Sequence, residues 1–377
     1  MALMPVTEAR ARLVAAARPS PLENVPLATA LGRRLGADVA ALRTQPPFPA
    51  SAMDGYAVRA SDLSAGAKLR VVGESAAGRG FRGTLSANEA VRIFTGAPVP
   101  FGADTILIQE NVAGVGEVII TALQSEPKGR FVREAGIDFL GGDVLIKRDT
   151  RLDARHLALA ASMGHATLDV HACPRIAIIA TGDELVRPGE PCGPDQIMAS
   201  NSYALAALIE QAGGIAIDLG IARDSMTSLQ AAFDASAGAD AIVTLGGASV
   251  GDHDLVQAAL VARGMTLDFW KIAMRPGKPL MFGQTGRQPV LGLPGNPVSA
   301  MVTARLLLAP LVARLLGQAR PSPLDWITLL LGAPIPATDN RETFLRARLI
   351  EGALAPLTNQ DSGAQRALAE AGWLIRC

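Results

Sequence analysis

The 377-residue sequence has few cysteines, few aromatic residues and no net charge, and each shortage narrows the classes of protein it can belong to. Its three cysteines show no C-x-x-C spacing, which argues against a disulfide framework and against a zinc knuckle. Basic and acidic residues number 35 each, whereas a nucleic-acid-binding protein normally has a basic excess. Charged residues interrupt both the N-terminus, where a signal peptide has its apolar core, and the most apolar stretch, 300–316. We therefore expect a cytoplasmic protein without nucleic-acid or membrane partners.

The domain organisation follows from what remains. Aromatic residues make up only 4% of the chain, so aliphatic side chains must build its cores, and hydrophobic residues as a whole reach 49%. Short strand-like runs separated by Gly and Pro predict a small β-rich domain at 46–140. From residue 173 to residue 320 strands and helices alternate, which predicts an α/β domain.

The two ends of the chain are expected to form smaller units. A helical and extended N-terminal arm at 1–45, with a helix expected at Leu27–Leu42, should pack against the returning segment 141–172. Residues 321–377 are expected to form a small β-rich domain. Two strands are predicted in it, at Asp325–Leu331 and Phe344–Leu349.

The α/β domain opens with Arg175–Thr181, an apolar run that is typical of a strand buried on both faces. Further elements are expected in the order Ser202–Ala212 (helix), Ile215–Leu219 (strand), Ser225–Ser236 (helix), Ala241–Leu245 (strand), Asp254–Arg263 (helix) and Val290–Leu293 (strand). This alternation predicts a three-layer fold, a parallel sheet with helices on both faces. Ligands bind such sheets beyond the carboxyl ends of the strands, at the point where the strand order reverses.

Carboxylates gather in the loops at that end of the sheet: Glu184, Asp224, Asp252 and Asp254. Like charges raise one another's pKa unless they share a cation, and hard oxygen ligands of this type suit Mg²⁺. We predict Glu184 and Asp224 as metal ligands for a metal-assisted reaction of a phosphate ester. The alternative is that several of these acids, Asp254 above all, only cap helices.

Two loops are candidates for binding an anionic ligand. The loop Gly246–Gly251 runs from a buried strand into a helix, and its free N–H groups favour an anion such as phosphate. Its candidate binding residues are Gly246, Gly247 and Ser249. The alternative is a tight strand-to-helix turn. In the loop Pro294–Pro297, Asn296 is expected to cap a helix that begins at Pro297, and helix initiation alone is the alternative.

A basic cluster, Lys271, Arg275 and Lys278, surrounds a proline-rich segment. Fixed cations of this kind suit phosphate or an oxyanion, whereas a solvated basic face is the usual alternative. Residue types and spacing leave the two interpretations open.

A series of short motifs resembles the molybdopterin molybdenumtransferase family, to which the C-terminal domain of gephyrin also belongs. The resemblance is most specific over Pro46–Ala57 and extends over nearly the whole chain. Further motifs follow in the family's order at Thr95–Pro100, Gly136–Asp138, Thr181–Leu185, Gly246–Gly251, Phe269–Lys271 and Leu293–Pro297. The resemblance implies an elongated homodimer whose subunit has four regions, the third being a molybdopterin-binding α/β domain. It also implies an enzyme that uses adenylylated molybdopterin, molybdate and Mg²⁺ and yields molybdenum cofactor and AMP. The molybdopterin adenylyltransferase that makes this intermediate is then a candidate partner.

The resemblance further implies which residues form the site. The family's active-site acids and threonine map onto the catalytic candidates Asp54, Thr95, Asp138, Glu184, Asp224 and Asp254. Its basic pair, its loop prolines, and the arginine and serine of its last region map onto the binding candidates Lys271, Arg275, Pro294, Pro297, Arg346 and Ser362. In the family the site forms at the dimer interface, so the region of Asp54 and Thr95 in one subunit is expected against the α/β domain of the other. Arg275 stands where the family often has Lys, and the chain ends before the closing strands of the family's last region, so we expect a short C-terminal domain.

Two other functions fit parts of the sequence. A molybdopterin adenylyltransferase shares the α/β alternation and the glycine loop, but it has no counterpart to the motifs at Pro46–Ala57 and Thr95–Pro100. A molybdopterin carrier or scaffold without catalytic activity is the second alternative, and the retained acids argue against it. An assay of AMP release from adenylylated molybdopterin separates all three.

Overall fold

The computed structural model describes residues 3–247, 255–321, 326–335 and 337–377. Up to residue 172 the chain forms two helices and a series of short strands. In chain order these are α1 (Val6–Ala16), β1 (Leu22–Pro26), β2 (Val39–Ala40), β3 (Ala50–Ser51), β4 (Gly55–Val58), β5 (Lys68–Ser75), β6 (Glu89–Ile93), β7 (Thr105–Ile108), β8 (Val112–Ala113), β9 (Ile119–Ala122), β10 (Val132–Arg133), β11 (Val144–Ile146), α2 (Ala154–Ser162) and β12 (Thr167–His171).

The β-rich region is built around one sheet with the strand order β7-β4-β6-β5-β9-β8. Successive side chains of a strand point to opposite faces, and β4 shows this clearly. Tyr56 and Val58 lie in one apolar cluster, whereas Ala57 between them lies in the other. The sheet is therefore covered by apolar side chains on both faces.

Segments on either side of the β-rich region pack together. Strand β1 pairs with β12 and β2 pairs with β11, in both cases antiparallel. Leu35 and Val170 share one buried cluster there. The helix expected at Leu27–Leu42 is wrong: a 3-10 turn at Leu27–Thr29 is followed by extended chain. Gly32, with φ +76°, lies in a second turn, which the N–H of Arg33 closes by donating to the carbonyl oxygen of Ala30. Pairing with the returning segment then replaces the hydrogen bonds of a helix.

Helix α1 does not belong to that packing unit. Its buried residues Ala9 and Leu13 lie in the core of the α/β domain, together with Leu311 of a much later helix. The N–H of Ala273 also donates to the carbonyl oxygen of Met4 at 2.7 Å. Helix α1 therefore packs with the α/β domain and not with the rest of the predicted arm, 1–45. The other domain limits stay a prediction.

The α/β domain contains the next elements of the chain. They are β13 (Arg175–Thr181), β14 (Leu185–Val186), β15 (Ile197–Met198), α3 (Asn201–Gln211), β16 (Ile215–Ala222), α4 (Met226–Ala235), β17 (Ala241–Leu245), α5 (Leu255–Ala262), β18 (Met265–Trp270), β19 (Met274–Arg275), β20 (Met281–Thr285), β21 (Gln288–Leu293), α6 (Pro297–Thr303) and α7 (Ala309–Leu315). A π-helical turn, Ala304–Leu308, joins α6 to α7.

The central sheet has the order β16-β13-β17-β21-β20-β18. Its first four strands are parallel, and β20 and β18 are antiparallel additions. One apolar cluster unites the sheet with α1, α3, α6 and α7, and a second unites it with α4 and α5. The three-layer α/β fold is thus confirmed, although the sheet is longer than expected because the hairpin of β18 and β20 extends it.

The helical stretch Pro297–Leu315 is long and apolar enough, by length and composition, to cross a membrane. However, 72% of its most apolar window is buried inside the protein. Leu307 and Leu311 of this stretch lie in the α/β core at 0% exposure. This burial is typical of a core helix.

The C-terminal unit contains β22 (Glu342–Ile350), β23 (Ala353–Pro356), α8 (Gln365–Glu370) and β24 (Trp373–Arg376). Strand β22 pairs with both β23 and β24, and it also runs parallel to β19. The strand expected at Phe344–Leu349 is confirmed within β22. The strand expected at Asp325–Leu331 is wrong over its described residues, since they form only an isolated bridge, at Leu331. The ring of Trp326 packs against that of Phe344 instead.

Candidate active site

A cleft of about 1220 Å³ lies between the α/β domain and the C-terminal unit. Glu184, Gly246 and Pro294, which follow β13, β17 and β21, line its α/β side. These strands are neighbours in the sheet, and the strand order reverses between β13 and β17. The cleft therefore lies at the position where open α/β sheets bind their ligands.

The glycine loop after β17 brings bare backbone to the cleft wall. Gly246 has φ +94°, and a Cβ atom there would lie 2.9 Å from both the carbonyl oxygen and Oγ1 of Thr181. Its own N–H donates to the carbonyl oxygen of Leu293 at 3.1 Å. Gly247 also lines the cleft. Close packing between β13 and β17 thus requires glycine at position 246.

The described residues include only the start of the glycine loop. Ser249, Asp252 and Asp254 lie outside them. Their predicted roles therefore stay predictions.

Three carboxylates meet beside the ends of β13 and β16. Burial, and then the negative charges of Asp183 and Glu184, raise the pKa of Asp224. A hydrogen bond from the backbone of Asp183 offsets part of this effect. The backbone N–H of Asp224 in turn donates to Oδ1 of Asp183 at 3.2 Å. Asp183 was not predicted as a site residue, although its place next to Glu184 in the same loop was a usable signal. Glu184 lines the cleft, whereas Asp224 does not contribute to its described wall.

This acid pair fits a weakly coordinated Mg²⁺ better than an enclosed cage. Among the described residues, no group of three or more His, Cys, Asp or Glu side chains is arranged to hold a metal ion. Mg²⁺ usually keeps several waters and takes one or two carboxylates together with substrate phosphate oxygens. Burial and the neighbouring carboxylates raise the pKa of Asp224, so a bound cation would stabilise its charged form.

Cations also line the cleft. Arg275 and Lys278 contribute to its wall, as does Arg341, which was not predicted from the sequence. Hydrogen bonds from Arg341, with a smaller contribution from the charge of Arg275, lower the pKa of Asp339 to about 2. Arg341 could not be recognised from sequence, because pairing of β22 with β19 brings it there.

Lys271 has a different environment. It adopts φ +70°, and its Nζ lies 5.3 Å from the centre of the Trp270 ring. It does not contribute to the cleft wall formed by the described residues. The predicted basic cluster therefore divides into Arg275 and Lys278 at the cleft and Lys271 outside its wall.

The loop after β21 is tied to the C-terminal unit. Pro294 and Pro297 line the cleft, and Pro297 is the first residue of α6, as expected. Asn296 is the N-cap residue of α6, as expected, but its side chain makes no capping hydrogen bond. Its Nδ2 instead donates to Oγ of Ser362 at 2.9 Å, and the N–H of Val298 donates to the carbonyl oxygen of Ser362 at 3.0 Å. Ser362 thus replaces Asn296 as the partner of the helix start.

Arg346 is buried, with 1% of its surface exposed, at the base of the same region. Its Nη2 donates to the carbonyl oxygens of Asn359 at 3.4 Å and Asp361 at 3.1 Å, while its Nε has no partner among the described residues. Burial lowers the pKa of Arg346, and the charge of Asp361 opposes this effect. A guanidinium remains charged at such a position, so the arginine holds the loop that carries Ser362.

The candidates from the β-rich region lie outside the described wall of the cleft. Oδ1 of Asp54 accepts hydrogen bonds from the N–H of Thr95 at 2.8 Å and from its hydroxyl at 3.0 Å. These bonds, with a smaller contribution from the charge of Arg92, lower the pKa of Asp54. Asp138 is exposed, and its N–H donates to the carbonyl oxygen of Gln45 at 3.2 Å. The structure therefore joins Asp54 to Thr95 but does not place either in the described cleft wall.

Comparison with known proteins assigns most of the chain. Residues 4–164 match the family described as "MoeA N-terminal region (domain I and II)". Residues 177–314 match the family described as "Probable molybdopterin binding domain".

Curated relatives match across both parts. The molybdopterin molybdenumtransferase of Haemophilus influenzae is 39% identical over 301 residues, which cover 80% of this chain and 74% of the relative. The molybdopterin molybdenumtransferase of a Nostoc species is 36% identical and covers 86% and 76%.

Solved structures share the architecture. The molybdopterin biosynthesis MoeA protein of Pyrococcus horikoshii has a TM-score of 0.83 at 31% identity, covering 100% of this chain and 95% of that structure. A molybdenum cofactor biosynthesis protein of Pyrococcus furiosus, with a TM-score of 0.60 at 18% identity, covers 100% and 93% and shares the fold.

Proposed function

Because the chain belongs to the molybdopterin molybdenumtransferase family, enzymes of molybdenum-cofactor biosynthesis, we propose that it inserts molybdate into adenylylated molybdopterin and releases AMP. The observation that carries this proposal is the cleft itself. Glu184 and the bare backbone of Gly246 and Gly247 line it, together with the cations Arg275 and Lys278. A phosphate-bearing substrate and an incoming oxyanion need both kinds of surface.

The glycine loop and the cations of the cleft wall have different roles in this reaction. The N–H of Gly246 is already bonded to the carbonyl oxygen of Leu293, so we expect the N–H of Gly247, just after β17, to receive a phosphate oxygen. Arg275, Lys278 and Arg341 attract molybdate, a dianion that the carboxylates alone would repel. An oxygen of water attacks the adenylate phosphorus, the anhydride bond to the molybdopterin phosphate breaks and AMP leaves; molybdate then binds the two thiol sulfurs of molybdopterin and loses one oxo group as water. If an oxygen of molybdate attacks instead, adenylyl-molybdate forms, and the same sulfurs displace AMP from molybdenum.

The acids have a complementary role. Glu184 and Asp224 would hold Mg²⁺, which when bound supplies positive charge for the oxygens of the adenylate phosphate. The two carboxylates orient the phosphate by this shared charge, and the raised pKa of Asp224 is the local support for the assignment. Asp254 is proposed to complete the acidic side.

The proposal also includes a homodimer. Asp54 keeps a lowered pKa and is held by Thr95, yet neither residue lines the cleft of its own subunit. A second subunit is therefore proposed to bring Asp54, Thr95 and Asp138 against the α/β domain. The enzyme is proposed to work in the cytoplasm and to receive its substrate from the molybdopterin adenylyltransferase, whose product this reaction consumes.

A double variant, Glu184→Gln with Asp224→Asn, tests the proposal. We expect AMP release from adenylylated molybdopterin, in the presence of Mg²⁺ and molybdate, to fall by at least about a hundredfold, because removal of both charges abolishes cation binding. Release is measured by chromatography of AMP at saturating substrate.

The matched control carries the same changes away from the cleft, Glu210→Gln with Asp195→Asn, at two exposed positions. It should retain wild-type rates. Wild-type turnover in the first double variant would refute the acid assignment. Wild-type protein that binds adenylylated molybdopterin without turnover would favour a carrier, and one that forms it from ATP would favour an adenylyltransferase.

A further inference from the structure

Arg223 links the two loops that carry the acid pair. Its Nη1 donates to the carbonyl oxygens of Asp183 at 2.9 Å and Leu185 at 3.3 Å, the two residues on either side of Glu184. We propose that Arg223 is a positioning residue that holds Glu184 beside Asp224 for cation binding. This inference rests on the proposed function of that pair.

Two further hydrogen bonds join the same loops. The N–H of Gly182 donates to the carbonyl oxygen of Ala222 at 3.2 Å, and the N–H of Asp224 donates to Oδ1 of Asp183 at 3.2 Å. The guanidinium of Arg223 is the side-chain link that binds the residues on both sides of Glu184. The other edge of the loop is held separately, because the N–H of Ile197 donates to the carbonyl oxygen of Glu184 at 2.8 Å and β14 pairs with β15. Without Arg223, the loop loses its side-chain link to the segment that carries Asp224.

The base of this link is itself fixed. The backbone N–H of Arg223 donates to Oγ of Ser228 at 2.9 Å, within the first turn of α4. The N–H of Ser228 in turn donates to Oγ of Ser225, the N-cap residue of that helix, at 3.3 Å. The position of the guanidinium is therefore set by α4, which packs on the central sheet.

The choice of acceptors explains why an arginine is useful here. Two carboxylates repel each other, so repulsion favours positions of the loop in which Glu184 lies farther from Asp224. A cation bound to the carboxylates would oppose this movement but would compete with Mg²⁺. A cation bound to the flanking carbonyl oxygens opposes it and leaves the oxygens of Glu184 free. Arg223 also lies outside the described cleft wall, so it acts through Glu184 and not on the substrate.

Arg223→Gln tests the inference by two measurements. Hydrogen exchange of the amides at 182–186 should become about tenfold faster, because a charge-assisted link to the loop is lost. The Mg²⁺ concentration that gives half-maximal AMP release should rise by about tenfold, while KM for adenylylated molybdopterin stays within about twofold.

Two variants serve as comparisons. Arg287→Gln removes an exposed arginine of the same domain and should change neither measurement. Arg223→Lys keeps a cation that can reach a carbonyl oxygen, and it should recover part of both effects. Arg223→Lys also decides the question if Arg223→Gln does not fold.

The outcomes separate this inference from the proposed function. Unchanged hydrogen exchange at 182–186 in Arg223→Gln overturns the positioning role, as does faster exchange with an unchanged Mg²⁺ requirement. Wild-type protein that releases no AMP in the presence of Mg²⁺ overturns the proposed function instead, and hydrogen exchange still reports whether Arg223 holds the loop.

Discussion

Two aspartates of the proposed site illustrate how position sets the chemistry of one residue type. Asp54 accepts two hydrogen bonds from Thr95, which lower its pKa and keep it charged. Asp224 is partly buried beside other acids, which raises its pKa. The first aspartate is satisfied without a ligand, whereas the second is stabilised when a cation arrives. Residue type alone could not separate these roles, because the difference arises from neighbours distant in sequence.

Gly246→Ala should destabilise the protein and impair the cleft. The residue has φ +94°, and the new Cβ atom would lie 2.9 Å from two oxygens of Thr181. We expect a loss of about 2 kcal/mol or more in the free energy of unfolding, from backbone strain and this contact together. Denaturant unfolding followed by circular dichroism measures it.

Gly238→Ala is the matched control, since Gly238 has φ +84° but nothing within 4 Å of its added Cβ atom. Its free energy of unfolding should fall by only about 1 kcal/mol, from the strain of a left-handed conformation alone. Equal losses in the two variants would show that contact with Thr181 has no effect.

At the scale of elements, the strands buried on both faces were the easiest to predict. β17 matches its predicted bounds, and β13 does as well, because a short, continuous apolar run is the pattern that burial on both faces of a sheet requires. β18 and β20 were not predicted, since they form an antiparallel hairpin at the sheet edge without a strong apolar pattern. The helix expected at Leu27–Leu42 failed because long-range pairing overrode local spacing.

Helix α2 offers a test of capping. Oδ1 of Asp153 accepts from the N–H groups of Arg155 at 2.9 Å and His156 at 3.1 Å, and hydrogen bonds from Arg155 and then His156 lower the pKa of Asp153 strongly. Asp153→Ala should therefore lower the midpoint temperature of unfolding by about 2 °C at pH 7. Differential scanning calorimetry at several pH values measures the difference.

The pH dependence has a definite sign. A carboxyl group whose pKa is lowered by folding stabilises the protein above its ordinary pKa of 3.8, and this contribution is lost as the pH falls further. The difference between wild type and Asp153→Ala should therefore shrink below about pH 4. Arg155→Gln, which removes an exposed ion pair but keeps the cap, should have a smaller effect. A difference that does not vary with pH would contradict this account.

For the whole molecule, cleft residues at the strand ends of the α/β domain were easier to predict from the sequence than those of the C-terminal unit. Glu184, Gly246 and Pro294 were predictable because they follow strands of a parallel sheet, where ligands bind. Arg341 and the buried setting of Arg346 depend on how β22 pairs with β19, which no local pattern reveals. The roles of Asp54 and Thr95 depend on a proposed second subunit.

Complementation between inactive variants tests whether the site is shared. Asp54→Asn and Glu184→Gln subunits, each inactive alone, should regain activity when they are mixed, unfolded and refolded together. Half of the dimers formed at random are hybrids, and each hybrid keeps one intact site, so about a quarter of wild-type activity is expected. AMP release from the refolded mixture is the measurement.

A mixture of either variant with itself, refolded in the same way, is the control and should stay inactive. If the mixture of the two variants also stays inactive while dimers form, both residues act within one subunit or the site has been assigned wrongly.

The packing of α1 against Leu311 has a consequence for how the protein is made. Ribosomes synthesise α1 about 300 residues before its partner helix, so the newly made helix has no apolar surface of its own domain to cover. The arm and the β-rich region can fold meanwhile, since their contacts lie within the first 172 residues. The α/β core can therefore close only after the helix that carries Leu311 has been made, and contacts between residues so distant in sequence form slowly. A chaperone that shields α1 during elongation would raise the yield of native protein.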